Sequence, residues 1–509
     1  MVRVTVGFLC LALLALPVSL ASAQDLPDLA AVQHHVEDAI GKRPAADRLA
    51  ITYTAQGMAG RDVTLRSGDD YRTDTTLGPF KSAEGSFHGQ DWSQNENGET
   101  VLDNAEPGVE IGDRTTTRLT RISQPLDAYV ITKLNLRGSG SKQYIDPATW
   151  HVVRRDYIRP TGTSTVSYDD FRTTGTYTCA WHWAFRDGHA ENDEDYRIES
   201  LDPSAVSEAE LAIPLARRTL VEFPAGISSV ALPVHLIDGQ FIVRVNINGR
   251  GLDFQLDTGA GDLVIDRDVA KQLGLEEHGA YSSAVNAGRY VGTNVIVPEM
   301  KVGNLTMHDV VVSTIPHVGG DNPDYKVVGL LGFDFIDAVG LKLDYEAGTM
   351  TATTPDAFEA PTDPRMIDLD VRLGSLRPQT SVAVNGVLGQ RFILDTGATG
   401  GLMLFDYFQR RNPDVLRNAQ WLAPNPNMRF IGVGGEFEVQ PYRLRSVTIG
   451  QVNFTDFIAL AVTSGGSYSA NEDGLIGTDL LALFTLYTDY ANGKVYLAPN
   501  GITKRVISK

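Results

Sequence analysis

The sequence predicts a mainly β protein, with an N-terminal antiparallel sheet domain followed by two related β lobes. Three observations carry this. Between Leu49 and Ile198, alternating runs such as Leu49-Ala50-Ile51-Thr52-Tyr53, Tyr129-Val130-Ile131 and Thr165-Val166-Ser167-Tyr168 are separated by Gly, Asn and Asp turns, the pattern of strands with one face in water. A unit of strand, Asn-Gly and strand then occurs twice. Each copy is followed downstream by an apolar-apolar-Gly-x-Asp segment, in the same order.

Composition sets the outer bounds. A chain of 509 residues has room for about three folded units. Hydrophobic residues at 42% and charged residues at 21% are ordinary globular usage, so a disordered or coiled-coil chain is excluded. Lys and Arg number 44 against 63 Asp and Glu, a formal charge of −19. Such a body repels phosphate backbones and anionic lipid headgroups, so no nucleic-acid partner is expected. Cys10 and Cys179 cannot make a disulfide framework.

In chain order, Arg3 precedes an apolar run from Val4 to Leu16, then Pro17 and Ala21-Ser22-Ala23. This is the pattern of a secretory signal peptide over residues 1–23, cleaved before Gln24, and the run is short of the roughly 20 residues that span a bilayer. Cys10 leaves with it. No later segment predicts stable membrane insertion, and the expected localisation is periplasmic or secreted. Residues 24–198 form the N-terminal β-rich domain, opened by a helix over 29–41 with Leu29, Val32, Val36 and Ile40 at helical spacing. One helix followed by a long strand meander resembles the half-barrel of periplasmic lipoprotein-carrier proteins. Residues 199–228 read as a linker with a helical stretch. The two lobes are expected at 229–356 and 366–509, joined by 357–365 with Pro361 and Pro364.

The duplication places the chemistry. Phe241 to Asn246 leads through Asn248-Gly249 to Phe254-Gln255-Leu256-Asp257-Thr258-Gly259-Ala260. Ser381 to Val384 leads through Asn385-Gly386 to Phe392-Ile393-Leu394-Asp395-Thr396-Gly397-Ala398, offset by 138 residues. Gly332 in Gly329-Leu330-Leu331-Gly332-Phe333-Asp334 pairs with Gly477 in Gly474-Leu475-Ile476-Gly477-Thr478-Asp479, offset by 145, and Leu343-Asp344-Tyr345 pairs with Thr488-Asp489-Tyr490 at the same offset. One Asp-Thr-Gly is weak as a signal; two at matched places are specific. Two carboxylates sharing a proton can take a proton from water and give one to an amide, so Asp257 and Asp395 are the candidate catalytic pair. Gly259 and Gly397 let the backbone bring N–H groups toward the carboxylates, and Thr258 and Thr396 offer hydroxyls to brace one loop on the other. Gly332 and Gly477 are expected where a strand passes close to each loop. Asp266 is placed to cap a helix from Arg267 to Leu273.

At residues 229–500 the paired Leu-Asp-Thr-Gly-Ala motifs resemble those of the aspartic peptidases, specifically the retropepsin-like branch. The resemblance implies a two-lobed β-barrel pair, an exported aspartic endopeptidase acting on peptide or protein substrates without a cofactor or metal, and threonine bracing between the loops. Retropepsins are ordinarily homodimers of one lobe; here both lobes lie in one chain and are expected to pair within it. Covering hairpins, or flaps, are expected at Gly432-Val433-Gly434-Gly435 in the second lobe and around Asn286 to Tyr290 in the first. Gly434 and Gly435 are candidates for a flap tip and Tyr290 for a flap aromatic, against packing of that tyrosine in its hairpin. One departure is Gly261 where the second lobe has Thr399, whose hydroxyl is expected to reach its carboxylate and leave the two aspartates unequal. An insertion over Asp406 to Pro426 stands near the second cleft wall.

Two other readings stay open on sequence alone. The lobes could be a catalytically weak module that binds peptides or envelope proteins, or the N-terminal domain could inhibit or position the peptidase as a removable prosegment. Trp181-His182-Trp183 reads as an alternating strand, and the acidic run Glu191 to Asp195 as a solvated turn.

Overall fold

The computed structural model describes residues 26–503 apart from 104–114, 136–138, 160–161, 215–218, 286–287, 319–324, 374, 418, 423–427, 433–434 and 465–471. The expected signal segment and Gly434 lie outside the described residues. The first helix, Leu29–Ile40, starts where the Asp28 carboxylate accepts the Ala31 N–H at 2.6 Å and stops at Gly41 with φ 69°. Its inner face packs Val32 against Ile131 and Ile145, flanked by Leu29, Val36, Tyr129 and Trp150. That apolar face holds the helix to the sheet.

The N-terminal sheet has thirteen antiparallel strands in two meanders, within each of which chain neighbours pair. Its halves meet where the first strand, Ala46–Ala55, pairs with the last, Glu194–Asp202, and its edges are Thr100–Asp103 and Thr116–Ile122. The last strand runs past Ile198, where the linker was expected to begin, because Leu49 and Ala50 need partners and find Leu201 and Ser200. The expected helical stretch of the linker is one turn, Glu208–Leu211, opened by a Ser207–Glu210 capping box. Trp181, His182 and Trp183 lie on the strand Tyr177–Arg186, with Trp183 stacked on Tyr196 and His182 held between Asp169 and Asp195.

Each lobe closes six strands into a barrel. In the first, Gln240–Ile247, Arg250–Leu256, Val327–Leu331, Val264–Asp266, Leu305–Ile315 and Gly288–Val302 follow in order, and the last pairs back to the first. In the second the circuit is Gln379–Val384, Val387–Leu394, Gly474–Ile476, Leu402–Leu404, Val452–Ser464 and Gly435–Ile449, closed in the same way. The hairpin turns are the ones Asn-Gly favours: Asn248 and Gly249 have φ of 52° and 78°, Asn385 and Gly386 of 49° and 84°. Asp266 caps the helix Arg267–Gln272 by accepting N–H bonds from Asp268 and Val269.

A third sheet joins the lobes. Its six strands run Ser229–Leu232, Thr349–Thr353, Gly340–Asp344, Phe484–Asp489, Lys494–Pro499 and Ile367–Asp370. The middle pair, Gly340–Asp344 with Phe484–Asp489, crosses from one lobe to the other. Beneath it one apolar core is continuous between lobes, with Phe241, Phe254 and Phe333 on one side and Phe392, Phe408 and Phe484 on the other. Each fully buried phenylalanine contributes roughly 3 kcal/mol of apolar transfer. The lobes are therefore one packed body.

Candidate active site

Asp257 and Asp395 each follow a buried strand whose last residue, Leu256 or Leu394, is held in the core. Parallel pairing to the downstream strand fixes both positions: the Asp257 N–H donates to the Leu331 carbonyl at 3.0 Å and the Asp395 N–H to the Ile476 carbonyl at 2.9 Å. The two loops then meet face to face. The Thr258 hydroxyl donates to the Leu394 carbonyl at 2.6 Å and accepts the Thr396 N–H at 2.9 Å. The Thr396 hydroxyl donates to the Leu256 carbonyl at 3.0 Å and accepts the Thr258 N–H at 3.1 Å. Both threonines are buried, so these four bonds are sheltered from water.

The glycines are required by the approach of the opposite loop. A Cβ on Gly259 would lie 2.5 Å from the Asp395 carboxyl carbon, and one on Gly397 would lie 2.4 Å from that of Asp257. Each glycine N–H also donates to the aspartate two residues before it, both at 2.8 Å. Behind the loops, a Cβ on Gly332 would meet the Asp262 carbonyl oxygen at 2.1 Å, and one on Gly477 the Gly400 carbonyl oxygen at 2.6 Å. These strands pass against the loops.

The two carboxyls act on each other, and burial pushes both above the ordinary carboxylate range. For Asp257 the charge of Asp395 adds to that rise. Ala398 donates to Asp395 at 3.0 Å as Ala260 does on the other side, and Asp395 is better supplied for the ionised state because the Arg377 guanidinium acts on it alone. The proton of the pair therefore favours Asp257. The expected contribution of Thr399 is not found: that residue is exposed and Asp395 is held by backbone N–H groups instead. The inequality of the two aspartates comes from Arg377. A Cβ on Gly261 would lie 3.4 Å from the Leu376 side chain, ordinary contact, with the Ser375 carbonyl oxygen at 4.0 Å.

The remaining candidates fall around this centre. Tyr290 lies on the strand Gly288–Val302, half-buried with its ring edge-on to Tyr281 at 6.2 Å and packed against the Ile242 and Val264 cluster. Gly435 pairs with Gly432 at the end of the hairpin Met428–Gly432 and Gly435–Ile449. The insertion is anchored by Arg411, which contacts buried Asp473 at 3.0 Å, and it leaves Trp421 exposed.

Sequence reasoning missed several groups. Gln240 and Gln255 both donate to the Gly397 carbonyl, at 2.8 and 3.0 Å, tying the second loop to the first lobe. Arg377 pairs with buried Glu472 at 2.5 Å. Asp334, quoted only as a landmark of the repeat, is a buried carboxylate pushed up to about 7 by burial and the charge of neighbouring Asp262. Asp334 accepts the Leu263 N–H at 3.1 Å and the Asn95 amide at 2.6 Å, and Asn95 belongs to the N-terminal sheet region. The buried position of Asp334 in its repeat was the available signal.

Residues 243–335 and 380–480 each match the aspartyl protease family, one match per lobe. The two lobes are aspartyl-protease-like. The chain is also similar to the solved aspartic proteinase from Irpex lacteus, with 14% identity and a TM-score of 0.37 over 54% of this chain and 98% of that one. A LolA superfamily protein from Nitrosomonas europaea is similar at 12% identity and a TM-score of 0.28, over 36% of this chain and 96% of that one. No curated protein sequence matches the chain significantly.

Proposed function

We propose that the protein is an exported aspartic endopeptidase in which Asp257 and Asp395 activate water. The observation that carries this is the mutual threonine bracing, which locks together the two loops that carry half-buried carboxyls from different lobes. In the reaction, ionised Asp395 takes a proton from water while protonated Asp257 gives its proton to the scissile carbonyl oxygen. Water oxygen bonds to the carbonyl carbon and yields a tetrahedral diol. The carbon–nitrogen bond then breaks as one carboxyl passes a proton to the leaving nitrogen and the other recovers a proton from the diol, returning the pair to its starting state. Gly259 and Gly397 N–H groups hold the carboxylates through both steps.

A peptide lying extended between the lobes is covered by the hairpins Glu277–Val285 with Gly288–Val302 and Met428–Gly432 with Gly435–Ile449. The leader pattern of residues 1–23 supports export, and among the described residues no helix is long and apolar enough to cross a membrane. The test is cleavage of a mixed peptide library by residues 24–509 between about pH 3 and 7, with a peptide bearing a non-hydrolysable tetrahedral alcohol as competitor. Cleavage in acid, blocked by the alcohol, supports the reading. Tight peptide binding without cleavage replaces it with the binding module.

A further inference from the structure

We infer that the N-terminal sheet is a permanent brace for the first lobe's covering hairpin, with Asn97 and Asn192 as its positioning residues. The name of that hairpin rests on the peptidase reading; the contacts do not. Glu277–Val285 is the outermost strand of the first lobe's sheet, so among the described residues one row of its N–H and C=O groups has no strand partner. Asn192 supplies one. Its side-chain oxygen accepts the Ser282 N–H at 2.7 Å and its amide donates to the Ser282 carbonyl at 2.8 Å. These are the two bonds that a paired residue of another strand makes.

Asn97 repeats the device on another strand of the same lobe. Its oxygen accepts the Val311 N–H at 2.8 Å and its amide donates to the Val311 carbonyl at 3.0 Å. Asn97 is 4% exposed, and Val101, just beyond it, lies in the core shared by the lobes. Two residues before Asn97, Asn95 reaches buried Asp334. A side-chain amide that satisfies both groups of a backbone residue fixes position as well as distance.

The hairpin itself is shaped for this contact. Its strand register shifts between His278 and Tyr281, and Gly279 there has φ +62°. The irregularity turns the Ala280 N–H outward, where it donates to the Gln56 carbonyl at 3.2 Å. A Cβ on Gly279 would stand 2.6 Å from the Met58 methyl carbon and 2.7 Å from the Gln56 side-chain oxygen. His278 beside it meets Phe80 edge-on at 5.9 Å. Four separate points of the N-terminal sheet region thus converge on one lobe and on the outer face of one hairpin. A removable prosegment that blocks the cleft is not what these contacts describe.

The experiment uses the full exported chain with Asn97→Ala, Asn192→Ala and Gly279→Ala made singly, so that misfolding of one leaves the others as tests. Amide hydrogen exchange is followed in 277–302 and, as internal reference, in 428–449. The brace predicts exchange faster by about tenfold in 277–285 in the Asn192 and Gly279 variants, with the reference unchanged. It also predicts that KM for a cleaved peptide rises several-fold while kcat changes little, a split that general destabilisation does not produce. Unchanged exchange in 277–285, or an activity increase on cutting within 203–228 and releasing the N-terminal sheet, overturns the inference. If exchange responds and the parent protein cuts no peptide, the brace stands and the peptidase reading fails.

Discussion

Thr258 and Thr396 hold one another across the lobes: the hydroxyl of each accepts the other's N–H and donates to the carbonyl that precedes the other's aspartate. Removing one hydroxyl leaves a buried N–H and a buried carbonyl without partners. Each orphan costs roughly 1–3 kcal/mol. Thr258→Val and Thr396→Val should each lower the thermal midpoint and activity, while Thr396→Ser should keep most of both. Melting curves and peptide cleavage on the same samples check this. A neutral Thr→Val change would show that the bracing is incidental.

The loop glycines make a sharper case, because the obstruction is the opposite carboxyl itself. Gly259→Ala places a methyl where the Asp395 carboxyl stands, and Gly397→Ala does the same to Asp257. Forcing the pair apart removes the shared proton. Activity should fall by about a hundredfold or more, the share that positioned acid–base groups supply. Steady-state rates of the two variants test it, with circular dichroism to show that the barrels persist.

Asp334 gives a pH dependence with a definite sign. Its folded-state pKa, about 7, is above the ordinary 3.8, so the folded chain binds this proton more tightly than the unfolded one. The stabilisation is complete below about pH 4 and is lost as pH rises toward 7. The loss is on the order of 4 kcal/mol. Asp334→Asn should flatten the slope of stability between these limits, at the expense of one of the bonds to Leu263 and Asn95. Denaturant titrations at several pH values measure it; an unchanged slope assigns the dependence to other groups.

Gly332 and Gly477 should differ in tolerance. A Cβ on Gly332 meets a carbonyl oxygen at 2.1 Å, against 2.6 Å for Gly477, and in both cases the obstacle is backbone, which cannot swing aside. Alanine at either position should destabilise by about 1–3 kcal/mol, with Gly332→Ala the worse. Equal and negligible effects would mean that the strands can separate from the loops without consequence.

Much of this architecture is legible in the sequence because duplication repeats it. Asn248-Gly249 and Asn385-Gly386 name their own turns, and Asp266 names its helix. The pairing of Gly340–Asp344 with Phe484–Asp489 is not legible, since nothing local in either strand specifies a partner so far along the chain. The same holds for Gln240, Gln255 and Arg377, which act at the centre from outside the motif. Thr399 misleads in the opposite way: its place in the motif suggests a bond to Asp395, but the turn points it to solvent and Ala398 serves instead. Asn97 and Asn192 look like ordinary turn residues until the edge they satisfy is seen.

The central claim is one proton shared by Asp257 and Asp395, and it is tested most directly by the pH–rate profile of peptide cleavage for the parent chain, Asp257→Asn and Asp395→Asn. The account predicts a bell in mildly acidic solution for the parent, whose alkaline limb reports the proton held mainly on Asp257, and loss of about a thousandfold or more in each variant. A variant that keeps a parental rate, or a profile that rises steadily above pH 7, would contradict it.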